Sequence, residues 1–155
     1  MFRDMTRGEC RMTDEEAERA LSSETWGVLS LHGDGGFPYG VPMNYAWVNG
    51  CVLLHCAAEN SHRLDSLRRS EKVCFTVVPK HELDREHWSA SYLSVIVFGV
   101  AEVITDPAEK REMMRAFMNA LAPEKTREAL AACDPGAPEL AMLRVRPVHI
   151  TGKRG

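Results

Sequence analysis

Between two apolar runs, one from Pro38 to Val48 and one from Cys51 to Ala58, stands the dipeptide Asn49-Gly50, and no other feature constrains the fold of this chain as sharply. A two-residue type I′ turn needs positive φ at both central positions, which Asn and Gly tolerate. The two runs therefore read as a β-hairpin whose register can be counted outward from the turn. Val48 faces Cys51, Trp47 faces Val52, Tyr45 faces Leu54 and Asn44 faces His55. Side chains alternate across a strand, so Asn44 and His55 share a face with Pro42, Ala46, Val48, Leu53 and Ala57.

Other elements are legible on either side. Thr13 and Glu16 have capping-box spacing before the stripe Ala17, Ala20 and Leu21, predicting a helix over 13–22. Trp26 to Leu31 reads as a strand closed by the glycine turn 33–36. Residues 61–70 return to helical spacing, with Leu64 and Leu67 inward. Lys72 to Val78 reads as a buried strand stopped by Pro79, followed by a polar loop over 80–91. Tyr92 to Ile104 is a long strand with a bulge or barrel corner at Gly99. Asp106, Pro107 and Glu109 supply an N-cap, a first-turn proline and a capping-box acid for a helix through about Leu121. A further helical stretch covers 124–132, and Leu140 to Ile150 forms the last strand. About six strands joined by tight turns, with helices inserted, predict a six-stranded antiparallel barrel, closed or half-closed, in one domain.

Composition excludes several classes of function. A formal net charge of −3 and no long basic run disfavour nucleic acid as a partner. The polar amino terminus and the lack of any run of roughly 20 apolar residues lead to the expectation of a cytoplasmic protein without a membrane anchor. Five cysteines, Cys10, Cys51, Cys56, Cys74 and Cys133, form an odd set without C-x-x-C spacing and read as free, buried thiols. His81 and His87 have no metal-ligand spacing, and the dinucleotide, P-loop and G-x-S-x-G patterns are absent.

Two places could carry chemistry. Asn44 and His55 set polar groups on an apolar face, which calls for a mutual hydrogen bond or a bound ligand. Directly after that strand, Glu59-Asn60-Ser61-His62-Arg63 opens a helix. Asn60 or Ser61 can cap it, leaving first-turn N–H groups and the Arg63 charge for a phosphate.

The blocks Phe37 to Tyr45, Val52 to Ala57, Ser61 to Asp65, Lys72 to Phe75, Tyr92 to Ala101 and Ile150 to Arg154 resemble successive segments of the FMN-binding split-barrel group. This is the pyridoxamine 5′-phosphate oxidase-like group, and within it the nitroimidazole-resistance (Nim) proteins are most similar. The resemblance implies a homodimer with FMN where the subunits meet. It places Met43, Asn44 and Tyr45 along the flavin ring, with His55, Cys56 and Ala57 on the strand beside it. Ser61, His62 and Arg63 would hold the phosphate. Relatives commonly carry Lys where this chain has Arg63, and both are cationic. The second subunit would contribute Trp88, Ser91, Tyr92 and Ser94, and Lys153 would approach the phosphate from the last strand.

In such a flavoenzyme the expected reaction is reduction of small acceptors such as nitroimidazoles by hydride from reduced FMN, with His55 as the proton donor. The alternative is a non-catalytic flavin- or heme-binding protein that stores or senses its cofactor. A deazaflavin in place of FMN is disfavoured by the acidic charge, and pyridoxamine-phosphate oxidation by the lack of an Arg-rich carboxy-terminal segment.

Overall fold

Asn49 and Gly50 adopt φ of +51° and +73°, as the type I′ reading requires. In the computed structural model, which describes residues 1–132 and 134–155, the turn joins β3 (Ala46–Val48) to β4 (Cys51–Ala57). Val48 faces Cys51, Trp47 faces Val52 and Ala46 faces Leu53. The remaining strands are β1 (Trp26–His32), β2 (Pro38–Asn44), β5 (Lys72–Asp84), β6 (Ser89–Ile104) and β7 (Leu140–Arg154). The helices are α1 (Asp14–Ser23), α2 (His62–Arg69), α3 (Pro107–Leu121) and α4 (Thr126–Ala132). Cys133 lies outside the described residues; the other four cysteines are free thiols, with Cys10 and Cys56 buried and Cys51 and Cys74 half-buried.

Every strand pairing is antiparallel, in the order β2-β1-β5-β6-β7-β4-β3. The two outermost strands, β2 and β3, are neighbours in the chain with only Tyr45 between them. The sheet therefore curls round on itself, and its wall is split where Tyr45 passes from one edge to the other. This is the split barrel expected, with a seventh strand because the run from Pro38 to Val48 breaks in two.

The break corrects the outer half of the expected hairpin register. Asn44 faces Trp26 on β1, not His55. Leu54 and His55 face Leu143 and Met142 on β7. The cause is Tyr45, which turns into the core with no exposed surface. Its hydroxyl donates to the Leu21 carbonyl at 2.6 Å, and its ring meets Phe75 edge-on at 4.8 Å between centroids. Beyond that bend, β2 gains a ladder along β1 from Trp26↔Asn44 to His32↔Pro38, longer than the hairpin could supply.

The polar segment over 80–91 is also not a loop. Strand β5 passes Pro79 with a register shift between Val77 and Lys80, then pairs with β6 from Lys80↔Leu93 to Asp84↔Ser89. A proline lacks the ladder donor and is tolerated at such an irregularity. The ribbon beyond it is exposed on both faces, so no hydrophobic alternation marks it in the sequence. Gly99 does sit at a register shift, and a Cβ there would lie 2.6 Å from the Arg146 carbonyl oxygen.

Leu29, Leu54, Phe75, Val97 and Leu143 fill the barrel, and Leu21 of α1 plugs one end. Each such burial contributes roughly 1.5–3 kcal/mol. A second apolar layer lies outside the wall, where Met113, Met114 and Phe117 of α3 cover Ala46, Leu53 and Met142. Asp106 caps α3 by accepting from the Glu109 N–H at 2.8 Å. The Glu109 carboxylate does not close the capping box; it accepts from Arg144 at 3.0 Å, which ties α3 to β7.

Across β2, β1, β5, β6 and β7 the outer surface carries two rungs without acids, lysines or arginines. One runs Pro42, Val28, Thr76, Ile96 and Thr151, the other Gly40, Ser30, Cys74, Phe98 and His149. All ten side chains or backbones reach solvent at least in part.

Candidate functional site

Strand β4 turns Val52, Leu54 and Cys56 inward and leaves His55 and Ala57 outward. The His55 ring is exposed along one edge and packed on another by Phe117 of α3, edge-on at 5.2 Å and 85°. The chain then folds back at once. Ser61 is buried; its hydroxyl donates to Cys56 Sγ at 3.8 Å and accepts from the Leu64 N–H at 3.5 Å, making Ser61 the cap of α2. Asn60 adopts a left-handed φ of +50° and precedes the cap.

The start of α2 holds charges with different commitments. His62 stacks on Tyr39 at 4.1 Å and lies 3.3 Å from the Asp34 carboxylate, which also binds Arg69 at 2.7 Å. Asp65 pairs with Arg68. Arg63 is half-buried, and its Nε is buried without any hydrogen-bond partner among the described residues. A buried donor left unmade is costly, so this guanidinium is the one group of the helix start with binding capacity to spare.

Partial desolvation first, and the positive charge of Arg63 second, hold the His55 imidazole below the usual histidine value.

The predicted residues divide accordingly. His55 and Ala57 lie on the outer face of β4, and Ser61 and Arg63 lie in the cap and first turn of α2, which follows that strand in the chain. Asn44 lies on the outer face but donates to the Thr25 carbonyl at 3.2 Å, so the expected Asn44 to His55 hydrogen bond does not form. Met43, Tyr45 and Cys56 point into the core, so their side chains do not line an outer groove. His62 is turned toward the β1–β2 turn by Asp34 and Tyr39 rather than left free for an anion.

Trp88, Ser91, Tyr92, Ser94 and Lys153 form a distant group. Lys153 Nζ sits 5.6 Å from the Tyr92 ring centroid, and Lys153 faces Ser94 in register. His55 faces Met142 on β7, and Lys153 stands eleven residues further along that strand. At about 3.3 Å per residue that is roughly 35 Å of strand contour. Trp88 projects from the ribbon tip with 93% of its surface exposed and φ of +49°. Phe117 and Asp34 were not predicted; both act across the fold from other elements, and nothing local in the sequence marks them.

The larger hollows lie apart from His55 and Arg63. One of about 460 Å³ is lined by Ser30, His32, Lys72, Cys74 and Phe98 among others, and one of about 610 Å³ lies between α2 and β6. At the edge itself His55 and Ala57 are exposed to solvent.

The strand order and the placement of this edge define a split-barrel protein. Residues 13–154 match the sequence model of the pyridoxamine 5′-phosphate oxidase family, and the chain belongs to that family. No curated protein matches the chain. Among solved structures, a candidate 5-nitroimidazole antibiotic resistance protein from Bacteroides thetaiotaomicron superposes with a TM-score of 0.78 at 24% identity, covering 93% of this chain and 86% of that one. An FAD and heme binding protein from Mycobacterium smegmatis gives 0.80 at 20% identity, over 94% and 73%. A flavocytochrome from Azotobacter vinelandii gives 0.83 at 18% identity, over 98% and 72%. At these identities the likeness is one of fold. Among the described residues no helix is long and apolar enough to cross a membrane.

Proposed function

We propose that this chain is a homodimeric FMN-binding oxidoreductase that reduces small organic acceptors such as nitroaromatic compounds. The observation that carries the reading is the half-buried Arg63, with its unpartnered Nε, in the first turn of the Ser61-capped helix that follows the strand bearing His55. A single uncommitted cation at a serine-capped helix start fits the single phosphate of a mononucleotide. Arg63 and the first-turn N–H groups would hold that phosphate, and Ala57 leaves room for the ring beside His55. Flavins bound by other proteins of this fold favour the same class of ligand.

When bound, the flavin supplies two electrons at a time from a nicotinamide or similar reductant. Reduction of a nitro group to a nitroso group consumes two electrons and two protons and releases water; His55 would give one of those protons. The two uncharged outer rungs are a surface suited to a second copy. That copy would bring its own Trp88 ribbon toward the edge at His55.

The test is the absorbance spectrum of native protein and the mass of its released ligand, followed by turnover with a nitroaromatic acceptor. A band near 450 nm, released FMN and turnover lost in His55→Ala with FMN retained are expected. Protein that holds no flavin and takes up none overturns the reading, and yellow protein that turns over no acceptor favours storage or sensing.

A further inference from the structure

Strand β7 carries an extra residue opposite β6. Phe98 faces His149 and Gly99 faces Pro147, so Val148 between them has no partner in the ladder, and 63% of its surface is exposed. Such a bulge bends the strand and re-aims its side chains. The amino-terminal segment lies over this point: the Phe2 ring stacks on His149 at 4.5 Å between centroids and tilts onto Phe98 at 5.1 Å. Phe2, Phe98, Val100 and Val148 line a hollow of about 430 Å³, in which Lys72 is the charged side chain. Lys72, Val73 and Phe98 also line the hollow of about 460 Å³ that reaches the β1–β2 turn. That second hollow opens where β1 and β5 part. Their ladder ends at Ser30↔Cys74, which leaves His32 and Lys72, the next outward residues, unpaired in register, and Arg69 donates to the His32 carbonyl at 3.3 Å instead. Neither lining contains an acid. Asp34, on the adjoining turn, is engaged by His62 and Arg69, and Glu71 lines the separate hollow between α2 and β6. Among the described residues no ion pair engages Lys72.

We propose that these two hollows form one groove that binds a small aromatic carboxylate, with its ring against Phe2, Phe98 and Val148 and its carboxylate on Lys72. Apolar walls with one placed charge are the usual make-up of a small-molecule site, and each hollow is within the usual size range. The Phe2 and Phe98 rings offer faces and edges to an aromatic ligand. An ammonium without a counter-ion, in a lining without acids, selects an anion and gives it a charge-assisted hydrogen bond. The groove shares no residue with the edge at His55 and Arg63, and the proposal does not rest on the flavin reading.

The experiment is isothermal calorimetry of the full-length protein with 2-naphthoate and with 2-naphthamide, its uncharged counterpart, followed by NMR contacts between the naphthalene protons and Phe2 and Phe98. Wild type is expected to bind the acid about fivefold more tightly than the amide. Lys72→Gln should bind the two alike, Lys72→Arg should keep the preference, and Phe2→Ala should weaken both ligands. Lys72 is exposed, so its variants keep the fold. Absence of binding, as when a second copy fills the groove, overturns the proposal. An acid preference that survives in Lys72→Gln, or displacement of 2-naphthoate by FMN, overturns it as well.

Discussion

Replacing Tyr45 by Phe isolates one hydroxyl at the point where the barrel wall divides. That hydroxyl donates to the Leu21 carbonyl at 2.6 Å inside a site with no exposed surface. Removing it leaves a buried acceptor without its partner, which costs about 1–2 kcal/mol at neutral pH. Burial, with a smaller contribution from Glu24, also raises the Tyr45 ionisation far above the usual phenol value of about 10. The unfolded chain therefore loses this proton first. The stability contributed by protonated Tyr45 is complete below about pH 10 and then falls by about 1.4 kcal/mol per pH unit until the folded form ionises as well. Tyr45→Phe lacks this loss, and all other groups titrate alike in the two proteins. Urea unfolding from pH 7 to 11.5 should show the variant less stable at neutral pH and the two curves meeting near about pH 11. A constant difference across that range would refute the assignment of Tyr45 as a buried, ionisation-resistant donor.

Gly99→Ala should destabilise by about 2–3 kcal/mol, lowering the melting temperature by roughly 4–12 °C, because its Cβ would meet backbone at Arg146 and the Val145 side chain, both at 2.6 Å. Gly8→Ala, where a Cβ meets nothing within 4 Å, is the control expected to leave melting unchanged. Hydrogen bonding to Arg144, then the charges of Arg144 and Arg146, lowers the Glu102 ionisation below its usual range. Its contribution is thus present above the unfolded carboxylate value and lost as pH falls. Glu102→Gln should cost less than about 1 kcal/mol at pH 7, in this partly exposed and salt-screened network, and progressively less in urea titrations as pH falls through the folded carboxylate's ionisation.

What the sequence showed of the fold depended on how local the controlling interactions were. Asn49-Gly50, the Thr13 and Glu16 capping box and the Ser61 cap act within four residues, and each stands where it was expected. Alternation along Pro38 to Val48 put Pro42, Asn44 and Ala46 on one face, and all three stand outside the barrel core. Alternation fixes a face, however, and not a partner. Tyr45 is held by Leu21 and Phe75, far away in the sequence, and those contacts redirect Asn44 to Trp26. The ribbon beyond Pro79 escaped notice for the opposite reason: it packs against nothing, so burial left no pattern there.

The site follows the same division, and its chemistry depends on the part that is not local. Strand β4 and the start of α2 are consecutive, so His55, Ser61 and Arg63 could be placed together from spacing alone. Whether each side chain is free is decided elsewhere. Asp34, on the turn between β1 and β2, engages His62 and Arg69, and Asp65 engages Arg68, which leaves Arg63 with an unmatched charge. Partial desolvation where Phe117 packs on the ring, and the Arg63 charge second, lower the His55 ionisation below the usual histidine value. A histidine on a strand and an arginine in the next helix are unremarkable singly. Removing every competing partner from Arg63 leaves its guanidinium as the cation of that helix start open to an anion.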